Sequence, residues 1–457
     1  MSPNTAVARR PRRSHRGAVA IAVAASAAAI LTACAPPGSS GQDGPAAAAT
    51  DVSTTLPSDP VKLQILTSQE AADVVTQLGQ EFTRQNPTVT FDVVAEANSS
   101  INTNLSRILT RDTPPDILFT PALAQPARDG LLTNLDPYFD AYGWDSWSQE
   151  LLRIARVSPE GDRGTGSLYA VGIGYNVTGI YYNKEIAAKV GLTAPPTTFD
   201  QFEKAATDAV AAGYLGVSLA AKDAGTPFLL QELQNAYGNA PEINDWIYQR
   251  PDATFDQPGM LAASQKLQEW TKVGAISPDA LSVDYPTMMA DFQAGKALYV
   301  PVGDWENARL TAAMGDNVGF FLIPPVDAGA KQYTMASPAN YSIPQGAKNK
   351  DVAAYFLNWV QSNEQARKIV VDVLGSSPGG PVDLPVPPSD SPLVNSTLAA
   401  FQQVLADDGA VDFIANGSAA FTLDVLNPEM QALVLGSRTP QDFIDTVQAG
   451  YEKDLTR

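Results

Sequence analysis

One cysteine and one histidine are all that this 457-residue chain offers to thiol or imidazole chemistry, and both fall within its first 34 residues. His15 sits in a basic cluster with Arg9, Arg10, Arg12, Arg13 and Arg16, and Cys34 closes the apolar run that follows. If that leader is removed, the remaining chain has no histidine. This excludes a Ser-His-Asp triad, a Cys-His dyad and any histidine-based zinc site. With 49 acidic residues in the chain, the catalytic chemistry left open is hydrolysis by a pair of carboxylates, one acid and one base or nucleophile.

The leader has the layout of an export signal: a basic region, the alanine-rich segment "GAVAIAVAASAAAI", then Leu31-Thr32-Ala33-Cys34 with small residues at the cleavage point. The run is short and weakly hydrophobic for a membrane span. Leu-Thr-Ala-Cys resembles the bacterial lipobox, which is cut before its cysteine so that the sulfur and the new amino group can be acylated. A lipid on Cys34 is therefore expected, with a secreted protein carrying an unmodified cysteine as the alternative. Each buried methylene contributes ~0.8 kcal/mol, so two or three acyl chains hold a protein at the outer face of the cytoplasmic membrane almost permanently. Arg12-Arg13 also suggests twin-arginine export, but no Phe-Leu follows at the required spacing. Residues 34–58, rich in Gly, Ser, Pro and Ala, read as a leash with a root-mean-square span of roughly 25–30 Å.

Without residues 1–33 the chain holds 25 basic and 49 acidic side chains, a net charge of −24. That balance argues against nucleic acid or an anionic lipid surface as partner. Some 400 residues remain, enough for two or three cores, and they contain no second long apolar run.

Alternation of strand-like and helical patterns organises that remainder. "VKLQILT" (61–67), "VTFDVVAE" (89–96) and "PPDILFT" (114–120) are short strands. Between them, 69–87 places Ala71, Val75, Leu78 and Phe82 on one helical face, and 100–111 places Ile101, Leu105 and Ile108 on another. The pattern resumes at 179–220, where Thr198 and Gln201 have capping-box spacing ahead of an apolar helical face. Amphipathic helices follow at 258–274 and 351–375, then a proline-rich loop at 375–392. Strands alternating with helices indicate an α/β fold, here in two blocks.

Several pieces are more specific than their periodicity. "DGLLTNLDPYF" is followed by "GSLYAVGIGYNVTGIYYNKEIAAKVGLTAPPTTFDQFEKAA", then "FQAGKALYVPVGDWENARL" and "YSIPQGAKNKDVAAYFLNWVQSNEQARK". In this order they resemble the family 1 extracellular solute-binding proteins, the maltose-binding-protein-like sugar receptors of ABC importers, over nearly the whole exported sequence. The resemblance implies a two-lobed periplasmic-binding-protein-like fold of type II, a lipid-anchored monomer without cofactor or metal, and a sugar or oligosaccharide ligand passed to permease subunits. It implies about three crossings between lobes, placed near Tyr175–Ile180, Val300–Trp305 and Asp327–Ser337. Residues 59–176 and 301–335 then form the N-terminal lobe, and 177–300 and 336–457 the C-terminal lobe. In "SPEGDRGTGS" (158–167) the chain lengthens a turn that is short in the family.

Ligand in such folds sits on loops between the lobes. Sugar receptors stack aromatic rings on the C–H face of the sugar and meet its hydroxyls with Asp, Glu, Asn, Gln and Arg. The resemblance places a ligand aromatic at Trp305, which follows an apolar strand and Gly303. Gln69 and Glu70 after the first strand, Asn98 and Ser99 after the second, and Thr120 after the third are polar candidates. Tyr175 and Asn176 lie at the first crossing, Asn340 and Tyr341 just past the third, and Trp246 stands in "PEINDWIYQ" as either ligand contact or core. Trp270 and Trp359 follow helical periodicity and read as core, Trp144 and Trp147 as anchors of a surface loop, and "ADDGAVDF" (406–413) as a solvated helix end. A polyamine or other cation is the rival ligand of the same fold, and a secreted carboxylate-pair glycosidase the rival function.

Overall fold

The computed structural model describes residues 52–455 except 223–224, 239, 251, 417 and 419–420. Cys34, the export signal and most of the expected leash lie outside the described residues. Within the last part of that leash, Val52 and Leu56 pack against an apolar core, so the folded body begins earlier than residue 59.

Strands β1 (Val61–Ser68), β2 (Val89–Glu96) and β3 (Ile117–Phe119) pair in parallel in the order β2-β1-β3. The helices Ala72–Gln85 and Asn98–Leu109 connect them, the first burying Val74, Val75, Leu78 and Phe82 on the face that the spacing predicts. A short hairpin of β4 (Arg156–Val157) and β5 (Ser167–Leu168) precedes the 13-residue β6 (Val171–Asn183). After β7 (Leu215–Val217), β8 (Ala297–Gly303), β9 (Val318–Phe321) and β10 (Thr334–Ser342), β11 (Ala410–Val411) completes the set.

Two strands belong to both halves of the molecule. Near its start β6 runs antiparallel to β10, and from Thr178 onward it pairs with β8 and β9 instead. At its far end β10 pairs with β3, and at its start with β11. The chain thus passes between lobes along β6, returns along β10, and leaves again after Leu374 toward the helix Pro392–Ala406.

The apolar cores show which residues belong to which lobe. One gathers Leu63–Ile173 with Tyr341–Leu374, and the other gathers Ile180–Ile323 with Val411–Tyr451. This differs from the sequence expectation in two of its four segments. Residues 301–335 are expected in the N-terminal lobe, but Phe321 and Ile323 sit in the C-terminal core, because β9 pairs with β6 from Ile180 to Asn183 and β8 lies between β6 and β7. Residues 341–374 were expected in the C-terminal lobe and instead fill the N-terminal one, where Trp359 meets Phe82 edge-on at 5.0 Å. The apolar strand that ends at Gly303 turns within its own lobe and is not a crossing. Trp144 and Trp147 are buried and stacked at 4.8 Å in the N-terminal core, so they are core residues and not anchors of an exposed loop.

Local signals behave as their chemistry requires. Thr198 Oγ1 accepts the N–H of Gln201 at 3.2 Å, while the Gln201 side chain reaches the N–H of Thr197, one residue earlier than an ordinary capping box. Among the described residues no helix is long and apolar enough to cross a membrane.

Candidate functional site

On the C-terminal lobe β8 is buried along its whole length and ends at Gly303, where the chain turns through Asp304–Glu306 into the helix Asn307–Met314. The indole of Trp305 folds back over that glycine. A Cβ on residue 303 would lie 2.0 Å from the ring, so no other residue leaves room for this placement. The ring stays half-buried, and its Nε1–H donates to the Tyr285 hydroxyl at 2.9 Å. Tyr285 in turn donates to Glu306 Oε1 at 2.9 Å. Phe228 and Phe413, also half-buried, stand 5.7 and 6.0 Å from the indole. Rings that form a sealed core do not retain this accessibility, so the three present an apolar wall that is pinned and still open.

Acidic groups surround the wall. Glu306 is 3% exposed, and burial pushes its carboxyl above the ordinary range while the Arg309 guanidinium, 3.3 Å from Oε2, and the Tyr285 hydroxyl pull it back. Burial pushes Asp304 well above the usual carboxylate range, against a hydrogen bond with Ser376 and those from the backbone N–H groups of Val177, Asp304 and Trp305. Asp304 therefore ties the tryptophan turn to β6 and to the third crossing.

The N-terminal lobe supplies a polar counterpart. Thr67, at the end of β1, shares a 2.6 Å hydrogen bond with the Tyr341 hydroxyl of β10, and the Tyr341 ring meets Phe119 at 5.6 Å. Gln69 and Glu70 are exposed just beyond β1. The Glu70 charge acts on Tyr341 in its own lobe and on Glu306 in the other, which places it at the gap between the walls. Asn340 is 3% exposed, and its Oδ1 has no hydrogen-bond partner in the described structure. Thr120 is fully buried, donates its hydroxyl to Leu118 O at 2.9 Å, and offers its backbone N–H to Asn340 O. Its side chain is thus committed to the strand end. Asn98 opens the helix Asn98–Leu109 and is exposed, and the side chain of Ser99 lies outside the described residues.

Two sequence candidates belong elsewhere. Trp246 is 1% exposed and lies among Phe255, Phe421 and Tyr451 at ring separations of 5.0–6.0 Å, so it is a core residue of the C-terminal lobe. Tyr175 is buried in the hinge against Phe401, and its hydroxyl oxygen accepts from the Gly172 backbone N–H. Its neighbour Asn176 accepts from Ser376 Oγ at 2.9 Å, a contact between β6 and the third crossing. Sequence reasoning missed Tyr285, Glu306, Phe228 and Phe413. For Glu306 a signal existed, since an acid directly follows the tryptophan, but the other three come together only through the fold. Two surface concavities, of about 400 Å³ beside Pro196, Phe320 and Gln403 and about 280 Å³ beside Glu242 and Asp256, contain none of the candidate residues. They lack the combination of pinned ring and acceptors found at Trp305.

A family model described as bacterial extracellular solute-binding protein matches residues 67–367. Among solved structures, a chitin oligosaccharide binding protein matches with a TM-score of 0.72 and 20% identity, over 87% of this chain and 100% of that one. The GacH receptor of Streptomyces glaucescens, solved unliganded and in complex with acarbose, matches with a TM-score of 0.70 and 20% identity, over 86% and 98%. The binding protein RafE in complex with raffinose gives a TM-score of 0.67 and 22% identity, over 86% and 99%.

Proposed function

Because the chain belongs to the bacterial extracellular solute-binding proteins, we propose that it captures a neutral sugar or oligosaccharide between its lobes and delivers it to the permease of an ABC importer. The observation that carries this reading is Trp305, a half-buried indole folded over Gly303, held by Tyr285 and flanked by acceptor-rich side chains. A sugar ring offers such a site an apolar C–H face for the indole and hydroxyl donors for Glu70 and the Asn340 amide oxygen. Chitin oligosaccharides, acarbose and raffinose, bound by proteins of the same fold, are of this chemical class. We take the protein to act by binding alone, since Glu306 is committed to Tyr285 and Arg309, and Asp304 to its own turn. Closure would be a rigid-body movement about β6 and β10. A lipid on Cys34 would keep the exported receptor at the membrane beside its permease.

Two acidic groups acting on one gap, Glu70 and Glu306, favour a cation as the second reading. A thermal-shift screen of purified protein against chitin oligosaccharides, raffinose, acarbose and polyamines separates the two. A ligand at ~100 times its Kd stabilises by about 2.7 kcal/mol, enough to be seen. A neutral sugar should shift the melting temperature equally at low and high salt, whereas a polyamine shift should shrink as salt screens the carboxylates. Response to polyamines alone would reject the sugar reading. In the same preparation Cys34→Ser should leave binding intact and abolish membrane partitioning. Retention of the variant at the membrane would reject the lipid anchor.

A further inference from the structure

The lengthened 158–167 loop carries a side chain that reaches into the opposite lobe. It joins β4 to β5 in the N-terminal lobe, and its Arg163 is 3% exposed. Arg163 Nη2 lies 2.6 Å from Asp412 Oδ2 of the C-terminal lobe and donates to Ile154 O at 3.1 Å, while Nη1 donates to Asn416 O at 2.8 Å. The guanidinium also sits over the Tyr248 ring at 5.1 Å. Gly164 makes the approach possible: it has a φ of +76°, and a Cβ there would come within 3.0 Å of Arg250. Of the stretch 406–413, Ala406–Asp408 are the helix end at the surface that the sequence suggests, while Asp412 is a buried polar hub.

Asp412 uses its other oxygen to organise the wall of the ligand site. Oδ1 accepts the N–H of Phe413 at 2.8 Å, the Asn416 amide at 2.9 Å and the hydroxyl of Ser337, on β10, at 2.9 Å. Gln231, one helical turn after Phe228, donates to Asp412 O and accepts from the Ile414 N–H at 2.8 Å. The segment that presents Phe413 to Trp305 is thus fixed on one side by the helix carrying Phe228 and on the other by a cation from the opposite lobe. Buried groups joined in one network couple far more strongly than their separation in sequence suggests.

We infer that Arg163 is a positioning residue for the aromatic wall of the ligand site, acting through Asp412 on Phe413 and linking that wall to the N-terminal lobe. This deepens the sugar-binding reading and rests on it for its consequence, but the positioning itself can be measured without ligand. In Arg163→Lys the charge remains while the planar fork that serves Asp412, Asn416 and Ile154 together is lost. The readout is acrylamide quenching of Trp305 fluorescence, obtained by subtracting the signal of the matching Trp305→Phe background. Quenching should rise in Arg163→Lys, and raffinose, where it binds the unaltered protein, should bind about tenfold more weakly. Arg156→Lys, on the same hairpin but in the half-exposed pair with Asp136, should change neither. Unaltered quenching in a folded Arg163→Lys protein, whatever its melting temperature, would overturn the inference and leave the pair a structural one. If that variant does not fold, hydrogen exchange of the unaltered protein decides. The amides of Phe413 and Ile414 should open together with the 158–166 loop, and continued protection of those amides while the loop exchanges would refute positioning. Absence of raffinose binding to the unaltered protein counts against the ligand reading, while the quenching result still decides this inference.

Discussion

The two walls of the gap are built from different chemistry. The C-terminal wall is aromatic: Trp305, Phe228 and Phe413 hold half-buried rings in contact with one another, and Tyr285 fixes the indole through a hydrogen bond. The N-terminal side is polar: Glu70 is exposed, and behind it the hydroxyls of Thr67 and Tyr341 and the amide of Asn340 are buried, with Phe119 supporting the Tyr341 ring. Burial of ring surface contributes roughly in proportion to area, whereas a hydrogen bond exchanged with water contributes only about 0.5–1.5 kcal/mol net. Affinity should therefore reside mainly on the aromatic wall, and orientation and selectivity on the polar one.

The contrast is sharpest against a ring of the same lobe that faces no gap. Trp246→Ala should remove a sealed core ring at a cost of about 3–5 kcal/mol in chemical denaturation, well beyond the cost of Trp305→Ala. Comparable losses for the two would erase the distinction between wall and core.

The hinge that joins the walls contains a buried acid whose titration is the next largest expected effect. Glu232 accepts the Met335 N–H at 3.0 Å, and its Oε2 lies 2.7 Å from Thr334 Oγ1, both on β10. That hydroxyl is also 2.7 Å from Thr178 O on β6. It has a single hydrogen, so satisfying both contacts requires a proton on Glu232, in keeping with burial raising its pKa from 4.5 to about 8 against hydrogen bonds from the Met335 N–H and Asn235. Since the folded pKa exceeds the unfolded one, this stabilisation is complete below about pH 4.5 and is lost as pH rises toward 8, with a limiting slope of about 1.4 kcal/mol per pH unit. Glu232→Gln keeps the neutral shape, so the stability difference between variant and unaltered protein should change in that window. A pH-independent difference would show that the acid is ionised throughout.

On the polar wall Tyr341→Phe removes the partner of Thr67 while keeping the ring on Phe119. The expected loss is about 1 kcal/mol, about fivefold in sugar affinity by calorimetry. A larger loss than that of Trp305→Ala would reverse the assignment of the two walls.

What the sequence disclosed follows from the range of each interaction. Parallel strands, connecting helices and the Thr198 cap are written in periodicities of a few residues, so β1 to β3 and their helices are legible. Which lobe receives β8 depends on pairing with β6 and β7, and the apolar run before Gly303 looks the same in either lobe. Trp305 is recognisable from the glycine before it and the acid after it. Trp246 is not distinguishable, because Phe421 and Tyr451 reach it from the far end of the chain. The ion pair of Arg163 and Asp412 is invisible for the same reason: one half reads as a lengthened turn and the other as a solvated helix end, and only the fold buries them together.

The central claim is that the half-buried Trp305 ring is the main apolar platform for a sugar. Titration calorimetry of Trp305→Ala with whichever sugar the screen identifies tests it most directly. A central aromatic anchor costs ~2 kcal/mol or more on truncation, about thirtyfold in Kd, and Trp305→Phe should recover part of it. Binding by Trp305→Ala within twofold of the unaltered protein would contradict the account.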